Sequence, residues 1–221
     1  MTMIVAIDGL AASGKSSLAQ ALAVKCSLFY VDSGSFYRFI TYRLICEGIS
    51  ADQHDAICSF LPMVRFHYRA ARHFWKGRDV SEALRISAID ELVSRVARIG
   101  LVRKKINRTV RCLVRHKSAV VEGRDIGTVV FPKADLKIFL LASEEARIAR
   151  RNQQRQKWGH SPERECVRIN IRLRDRIDSE REIAPLVPAT DAVIIDTSQL
   201  TLEETVARSC KLVQECRRTH E

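Results

Sequence analysis

Glycine, proline and aromatic residues are all scarce in this chain of 221 residues, which has nine glycines, five prolines and 6% aromatics. So few chain breakers exclude a collagen-like or flexible low-complexity polymer, and no stretch of biased composition or internal repeat is present. No apolar run approaches the ~18 residues of a membrane span. The first apolar run, residues 3–7, ends at Asp8 with no basic segment before it. Neither a signal peptide nor a membrane anchor is therefore expected. Seven cysteines occur, but their number is odd, their spacing is wide and no C-x-x-C is present. That excludes the usual zinc and disulfide frameworks and points to reduced thiols in a cytoplasmic protein.

What remains is an ordinary globular composition, 46% hydrophobic and 29% charged, long enough to bury a real core. The charge is unbalanced, at +11. A basic surface of this size suits nucleic acid, which attracts cations without regard to sequence. It equally suits an enzyme whose substrates are polyanions. From residue 145 to residue 181 eleven Arg or Lys face six Asp or Glu, yet only Trp158 is aromatic there. Without a stacking platform for bases, small anionic substrates are the better fit, and no nucleic-acid partner is expected.

The stretch Gly9-Leu10-Ala11-Ala12-Ser13-Gly14-Lys15-Ser16-Ser17 satisfies G-x-x-x-x-G-K-[ST]. It follows a short apolar run and precedes helical spacing through Leu18, Ala21, Leu22 and about Val24. Strand, glycine loop and helix are the context this motif requires. The glycines let backbone N–H groups converge on phosphate oxygens, and the helix start adds its own free N–H groups and dipole. Lys15 then reaches the β- and γ-phosphates while the Ser16 hydroxyl holds Mg²⁺. The motif predicts binding of a nucleoside triphosphate.

Five apolar runs, at 3–7, 28–31, 119–121, 137–141 and 192–196, alternate with helical stretches. This predicts an α/β fold, a five-stranded parallel sheet flanked by helices, with an insertion at about 50–117. Within the insertion, apolar alternation over 63–68 and again at 73–75 predicts a hairpin or small antiparallel sheet. Ligands gather beyond the carboxyl ends of parallel strands, and those ends carry charge. The second run leads into Asp32-Ser33-Gly34 and Arg38, the third into Glu122-Gly123-Arg124-Asp125. Asp-Ser-Gly is equally a turn and helix cap, and Arg124 with Asp125 is equally a loop-holding pair. Ser161-Pro162-Glu163 starts a helix running to about Arg181, with Ile169, Leu173 and Ile177 as its apolar seam. Arg174, Asp178 and Arg181 share another face, as either an anion site or a surface ion-pair ladder. Ser143 caps an arginine-rich helix, and Thr201-Leu202-Glu203-Glu204 is a capping box opening the last one.

Together these stretches resemble the nucleoside monophosphate kinases, and specifically the bacterial cytidylate kinases. The resemblance spans nearly the whole chain. It rests on Ile7-Asp8-Gly9 through the loop, Asp32-Ser33-Gly34-Ser35-Phe36-Tyr37-Arg38, Asp79-Val80-Ser81 with Arg85, and Val102-Arg103. It rests most on Gly123-Arg124-Asp125-Ile126-Gly127-Thr128-Val129-Val130-Phe131-Pro132, then on Arg174-Asp175, Asp178, Arg181 and Ala184-Pro185-Leu186. It implies a single domain of P-loop nucleoside monophosphate kinase type. In that reading the core is 1–62, 104–149 and 162–221, the monophosphate-binding insertion about 63–103, and a short lid about 150–161.

The resemblance implies phosphoryl transfer from ATP, with Mg²⁺, to CMP or dCMP, by a cytoplasmic monomer. The monophosphate falls to Asp32, Ser33, Arg38, Arg103, Arg124, Asp125, Arg174, Asp178 and Arg181, with Asp178 at the sugar. Lys15, Arg150 and Arg151 act on the transferring phosphoryl group, and Glu122 is a water-mediated partner of the metal. Departures from the family pattern are Leu10 and Ala12, where Pro and Gly are common, and Glu122 in place of Asp. A kinase for UMP or AMP, or an RNA-binding protein on the same fold, are the alternatives.

Overall fold

The computed structural model describes residues 2–157 and 164–219. Trp158 and the expected helix start at Ser161-Pro162-Glu163 lie outside the described residues, as do residues 158–161 of the expected lid. The chain forms two compact units, one of residues up to Val31 together with those from Val114 onward, the other Asp32–Leu113. The second unit is broader than the 63–103 insertion expected from the sequence.

The first unit is built on a five-stranded sheet. Its strands are β1 (Ile4–Gly9), β2 (Phe29–Asp32), β6 (Ala119–Glu122), β7 (Leu136–Leu141) and β8 (Val193–Asp196), in the order β2-β6-β1-β7-β8. β1 pairs in parallel with β6 and β7, and β7 with β8. Such strands are covered on both faces, so they read as continuous apolar runs rather than alternating ones. Val5, Ala6 and Ile7 are indeed fully buried in succession. The helix α1 (Lys15–Lys25) follows β1, and α8 (Leu202–Thr219) ends the chain. Leu18 and Leu22 of α1 and Val206 and Val213 of α8 close one core with Val5, Ile7, Ile138 and Ile195. Val24, counted in the apolar spacing of α1, is instead 82% exposed, because the buried face is set by Leu18 and Leu22. The capping box forms as expected. Thr201 N–H donates to the Glu204 carboxylate at 2.8 Å and Glu204 N–H to Thr201 Oγ at 3.2 Å.

Two further helices, α6 (Glu144–Lys157) and α7 (Arg164–Glu180), pack together through Ile148, Val167 and Ile171. Two of the three residues of the expected seam of α7 are corrected: Ile169 and Leu173 are 58% and 53% exposed, while Ile177 is half-buried. The buried face is Val167, Ile171 and Asp178, spaced i, i+4 and i+11. This face is part apolar and part charged, so hydrophobicity alone points to the wrong side of the helix. Among the described residues no helix is long and apolar enough to cross a membrane.

The second unit holds α2 (Ser33–Cys46), α3 (His54–Phe60), α4 (Ser87–Val96), most of α5 (Gly100–Val114) and a small antiparallel sheet. Gly48, at φ 67, closes α2 by donating to Ile45 O while Ile49 donates to Leu44 O, a Schellman motif. The sheet has three strands, β3 (His67–Arg69), β4 (Arg72–Trp75) and β5 (Arg78–Asp79). The expected strand over 63–68 is therefore shorter and later. Its first residue, Met63, belongs instead to a 3₁₀ turn, Leu61–Met63, and β3 begins at His67.

His73 of β4 is buried at the centre of this unit, stacked on Phe39 at 5.3 Å and edge-on to Phe36 at 4.7 Å. Ser35 Oγ lies 2.8 Å from its Nε2, and its Nδ1 has no partner. Burial pushes its pKa down from 6.5 to about 4. Between those values the unfolded chain binds the extra proton, so this group's contribution to stability is complete above 6.5 and is lost as the pH falls towards 4. The loss amounts to about 3 kcal/mol at 1.36 kcal/mol per unit. Urea denaturation of wild type and His73→Phe at pH 7 and pH 4 should show the gap between the two proteins shifting by about that amount in favour of the variant at pH 4. A gap independent of pH would contradict the buried neutral imidazole.

Candidate active site

The end of β1 turns into a loop that only glycine can begin. Gly9 has φ 146, and a Cβ there would sit 2.3 Å from the carbonyl oxygen of Leu140 on β7. Gly14, at φ 96, starts α1 with no side-chain cap, so the first-turn N–H groups are left for a ligand. Ala11 and Ser13 are buried. Lys15 is buried as well and donates from Nζ to Leu10 O at 2.6 Å, with Ser13 Oγ at 3.4 Å. Burial, reinforced by the Arg124 guanidinium, pulls its pKa down to about 7, while Glu122, Asp175 and Asp8 act in the other direction. This loop holds a cation at high electrostatic cost, an arrangement that polyphosphate relieves.

Ser16 Oγ donates to Glu122 Oε2 at 2.8 Å, and Tyr30 OH donates to Glu122 Oε1. A hydroxyl and a carboxylate thus meet beside the loop, on the ends of α1 and β6. Glu122 is buried, so its orientation is fixed by these two hydroxyls.

The loop after β6 is tied back to β1 by Asp8, to which the sequence assigned no role beyond ending an apolar run and belonging to the Ile7-Asp8-Gly9 stretch. Asp8 accepts from Ile126 N–H at 2.8 Å and Gly127 N–H at 2.7 Å. Its burial raises the carboxyl pKa to about 6 despite these two bonds. The loop then makes a single π-turn, Ile126–Val130. Gly127 packs closely there: a Cβ would come within 3.1 Å of the Lys137 stem, which would have to shift by a few tenths of an ångström.

Arg124, Asp125, Asp178 and Arg181 form one cluster. Arg124 Nε donates to Asp178 Oδ2 at 2.9 Å, Arg181 lies 3.4 Å from Asp178 Oδ1, and Arg181 lies 3.6 Å from Asp125. Asp125, Asp178 and Arg181 are buried and Arg124 is half-buried. The carbonyl of Asp178 accepts from Leu186 N–H at 2.8 Å, which pins the Ala184-Pro185-Leu186 segment to the end of α7. Arg174 is half-buried one turn earlier on the same helix. These charges are neither a loop pair nor an exposed ladder; they are a packed network.

The remaining expected residues are engaged as follows. Arg150 donates to Ser13 O at 3.3 Å and to Thr197 Oγ1 at 2.9 Å, bracing the loop from outside. Arg151 donates to Gln154 at 2.9 Å on its own helix. In the second unit Asp32 caps α2 by accepting from Ser35 N–H at 3.1 Å, and Ser33 is buried beside it. Arg38 pairs with Asp90 and donates to Leu84 O at 3.0 Å. Arg103 is buried, donates to Ala97 O at 3.0 Å and lies over the Tyr37 ring.

A phosphate-loop cradle and a separate arginine–aspartate network occupy the strand ends of one unit. A family model described as cytidylate kinase matches residues 5–215. This chain belongs to the cytidylate kinase family. A cytidylate kinase from Thermotoga maritima is 42% identical over 212 residues, covering 96% of each chain. One from Geobacillus thermodenitrificans is 41% identical over 215 residues, again 96% of each. Among solved structures, a gluconokinase from Sinorhizobium meliloti 1021 aligns over 99% of this chain and 95% of its own at TM-score 0.51 and 15% identity, a likeness of fold alone.

Three engaged residues were given no site role by the sequence, Tyr30, Arg147 and Thr197, and Asp8 entered only within the Ile7-Asp8-Gly9 stretch. Asp175 was quoted only as the neighbour of Arg174. The discoverable signal was Asp8, a carboxylate ending a buried strand one residue before the loop. Asp8→Ala should leave the Ile126 and Gly127 N–H groups bare, each worth about 1–3 kcal/mol, partly offset by release of a buried carboxylate. We expect a net loss of about 2 kcal/mol in urea denaturation. Unchanged stability would mean that Asp8 does not hold the Gly123–Thr128 turn.

Proposed function

We propose that this protein transfers the γ-phosphate of ATP to CMP or dCMP. The observation carrying this reading is the Arg124–Asp178–Arg181–Asp125 network, present on one unit together with an intact Lys15–Ser16 loop. Membership of the cytidylate kinase family supports it further.

The attacking group is a phosphate oxygen of the acceptor. With a second pKa near 6 it is mostly dianionic at pH 7, so no general base is needed. The difficulty is holding two anions in line, a matter of position and charge neutralisation. The loop from Gly9 to Ser17 binds the donor phosphates, with Lys15, Arg150 and Arg151 neutralising the transferring group. For Arg150 this means exchanging its bonds to Thr197 and Ser13 for phosphate oxygens. Arg38, Arg124 and Arg181 take the acceptor phosphate; Asp32, Ser33, Arg103, Asp125 and Arg174 complete its binding, and Asp178 lies at the sugar.

Ser16 and Glu122 fit Mg²⁺, being hard oxygen donors 2.8 Å apart. Among the described residues no group of three or more His, Cys, Asp or Glu could cage a metal. Mg²⁺ usually relies on one or two protein oxygens plus phosphates and water, which suits this sparse set. When bound, it neutralises charge on the β- and γ-phosphates.

Lys15→Met should lower kcat by orders of magnitude while the fold survives, as measured by a coupled assay beside thermal denaturation. Asp178→Asn keeps the shape and an acceptor for Arg124, and should raise KM for CMP and dCMP about tenfold with KM for ATP little changed. Near-normal turnover in the first variant, or equal loss for both substrates in the second, would contradict the assignment.

A further inference from the structure

Ala11 is gripped on both of its backbone groups by one ion pair. Asp175 Oδ1, from α7, accepts the Ala11 N–H at 2.9 Å. Arg147, from α6, donates to the Ala11 carbonyl at 3.3 Å and also makes a short ion pair with Asp175 Oδ2. The two side chains are 9% and 15% exposed, so neither is a surface charge that drifts with solvent.

The next residue makes the purpose of this grip visible. Ala12 has φ 58, a left-handed conformation that residues with a side chain adopt rarely and under strain. Its methyl group packs against Ile148, Val167 and Ile171, the apolar contact between α6 and α7. One helix pair therefore holds Ala11 by charge and Ala12 by packing. Because the C=O and N–H of a trans peptide point in opposite directions, holding the Ala11 carbonyl on Arg147 turns the Ala12 N–H away from α6. Two peptides later, Thr197 Oγ1 donates to the Ser13 carbonyl at 3.2 Å, turning the Gly14 N–H in the same manner. Outward carbonyls anchored by side chains from outside the loop are the counterpart of N–H groups free to converge on phosphate.

We propose that Arg147 and Asp175 are positioning residues that set the shape of the phosphate loop for ATP, acting through the Ala11 backbone and not by touching the nucleotide. This rests on the reading of the loop as the donor site. A buried ion pair is weak support for stability as such, since two hydrophobic residues of similar volume serve as well. Here the pair also satisfies both groups of a loop residue, which no hydrophobic pair does. Loss of either residue breaks the clamp, because each is held in place against Ala11 by its ion pair with the other, so loss of both removes little more.

The test is titration calorimetry with ATP and, separately, with CMP, alongside steady-state kinetics and thermal denaturation. Inorganic tripolyphosphate is titrated as a third ligand, so that loop shape is read without any acceptor or turnover. Asp175→Ala and Arg147→Ala should each weaken ATP and tripolyphosphate about tenfold and leave CMP within twofold. The double variant should be no worse than the weaker single, because the two residues act as one clamp. Asp175→Asn, which still accepts from Ala11 but no longer pairs in charge with Arg147, should fall in between. It also decides the matter if the alanine variants fail to fold. A folded Asp175→Asn and Asp175→Ala with unchanged affinity for ATP and tripolyphosphate would overturn the proposal. So would an equal loss for CMP, or additive effects in the double variant. If wild type binds tripolyphosphate but makes no CDP, the kinase reading fails while the clamp is still decided by the tripolyphosphate titrations.

Discussion

The cost of burying charge governs the first unit. Asp8, Lys15, Glu122, Asp125, Arg147, Asp178 and Arg181 are all buried in this unit, most of them at the strand ends. A buried charge is tolerated only when it is paired and hydrogen-bonded. Asp8 takes two backbone N–H groups, Glu122 takes two hydroxyls, Asp178 is shared between Arg124 and Arg181, and Asp125 lies against Arg181. Lys15 is the poorest served, held chiefly by a loop carbonyl. That is the position at which an incoming polyphosphate gains most. The site is a set of charges balanced against one another in advance, so binding requires little rearrangement of dipoles.

Much of this architecture could be read from residues. The five strands fall within one or two residues of the apolar runs, because parallel strands buried on both faces leave an unbroken signal. The loop at Gly9 and the capping box at Thr201 were legible because each is a local device with a fixed spacing. The exposed side of α7 was misread for a physical reason. Asp178 replaces a hydrophobic residue on the buried face, so Ile169 and Leu173 carry the apolar period while facing solvent. The hairpin of β3 and β4 was legible, yet its turn was not. Ala70 and Ala71 both sit at positive φ, and alanine carries none of the Asn-Gly signal such turns ordinarily show.

The partners of the loop were the hardest part to see. Arg147 is one of several arginines on a basic helix, and nothing in its spacing distinguishes it from Arg151, which donates to Gln154 on its own helix. Which arginine turns inward depends on where Asp175 and the Ala11 carbonyl lie, a relation across 28 and 136 residues of sequence. Ala12 is a similar case. Glycine would meet its left-handed backbone without strain, whereas alanine adds a methyl group that ties the loop to α6 and α7.

The central claim is that these balanced charges serve two nucleotides, ATP on the loop and a cytidine monophosphate on the arginine–aspartate network. One coupled assay tests it most directly: initial rates with ATP and Mg²⁺ across CMP, dCMP, UMP, AMP and dTMP under one set of conditions. The account predicts that CMP and dCMP are phosphorylated well ahead of the other three. Fastest turnover with AMP or UMP, or no acceptor-dependent ADP formation with any of the five, would contradict it.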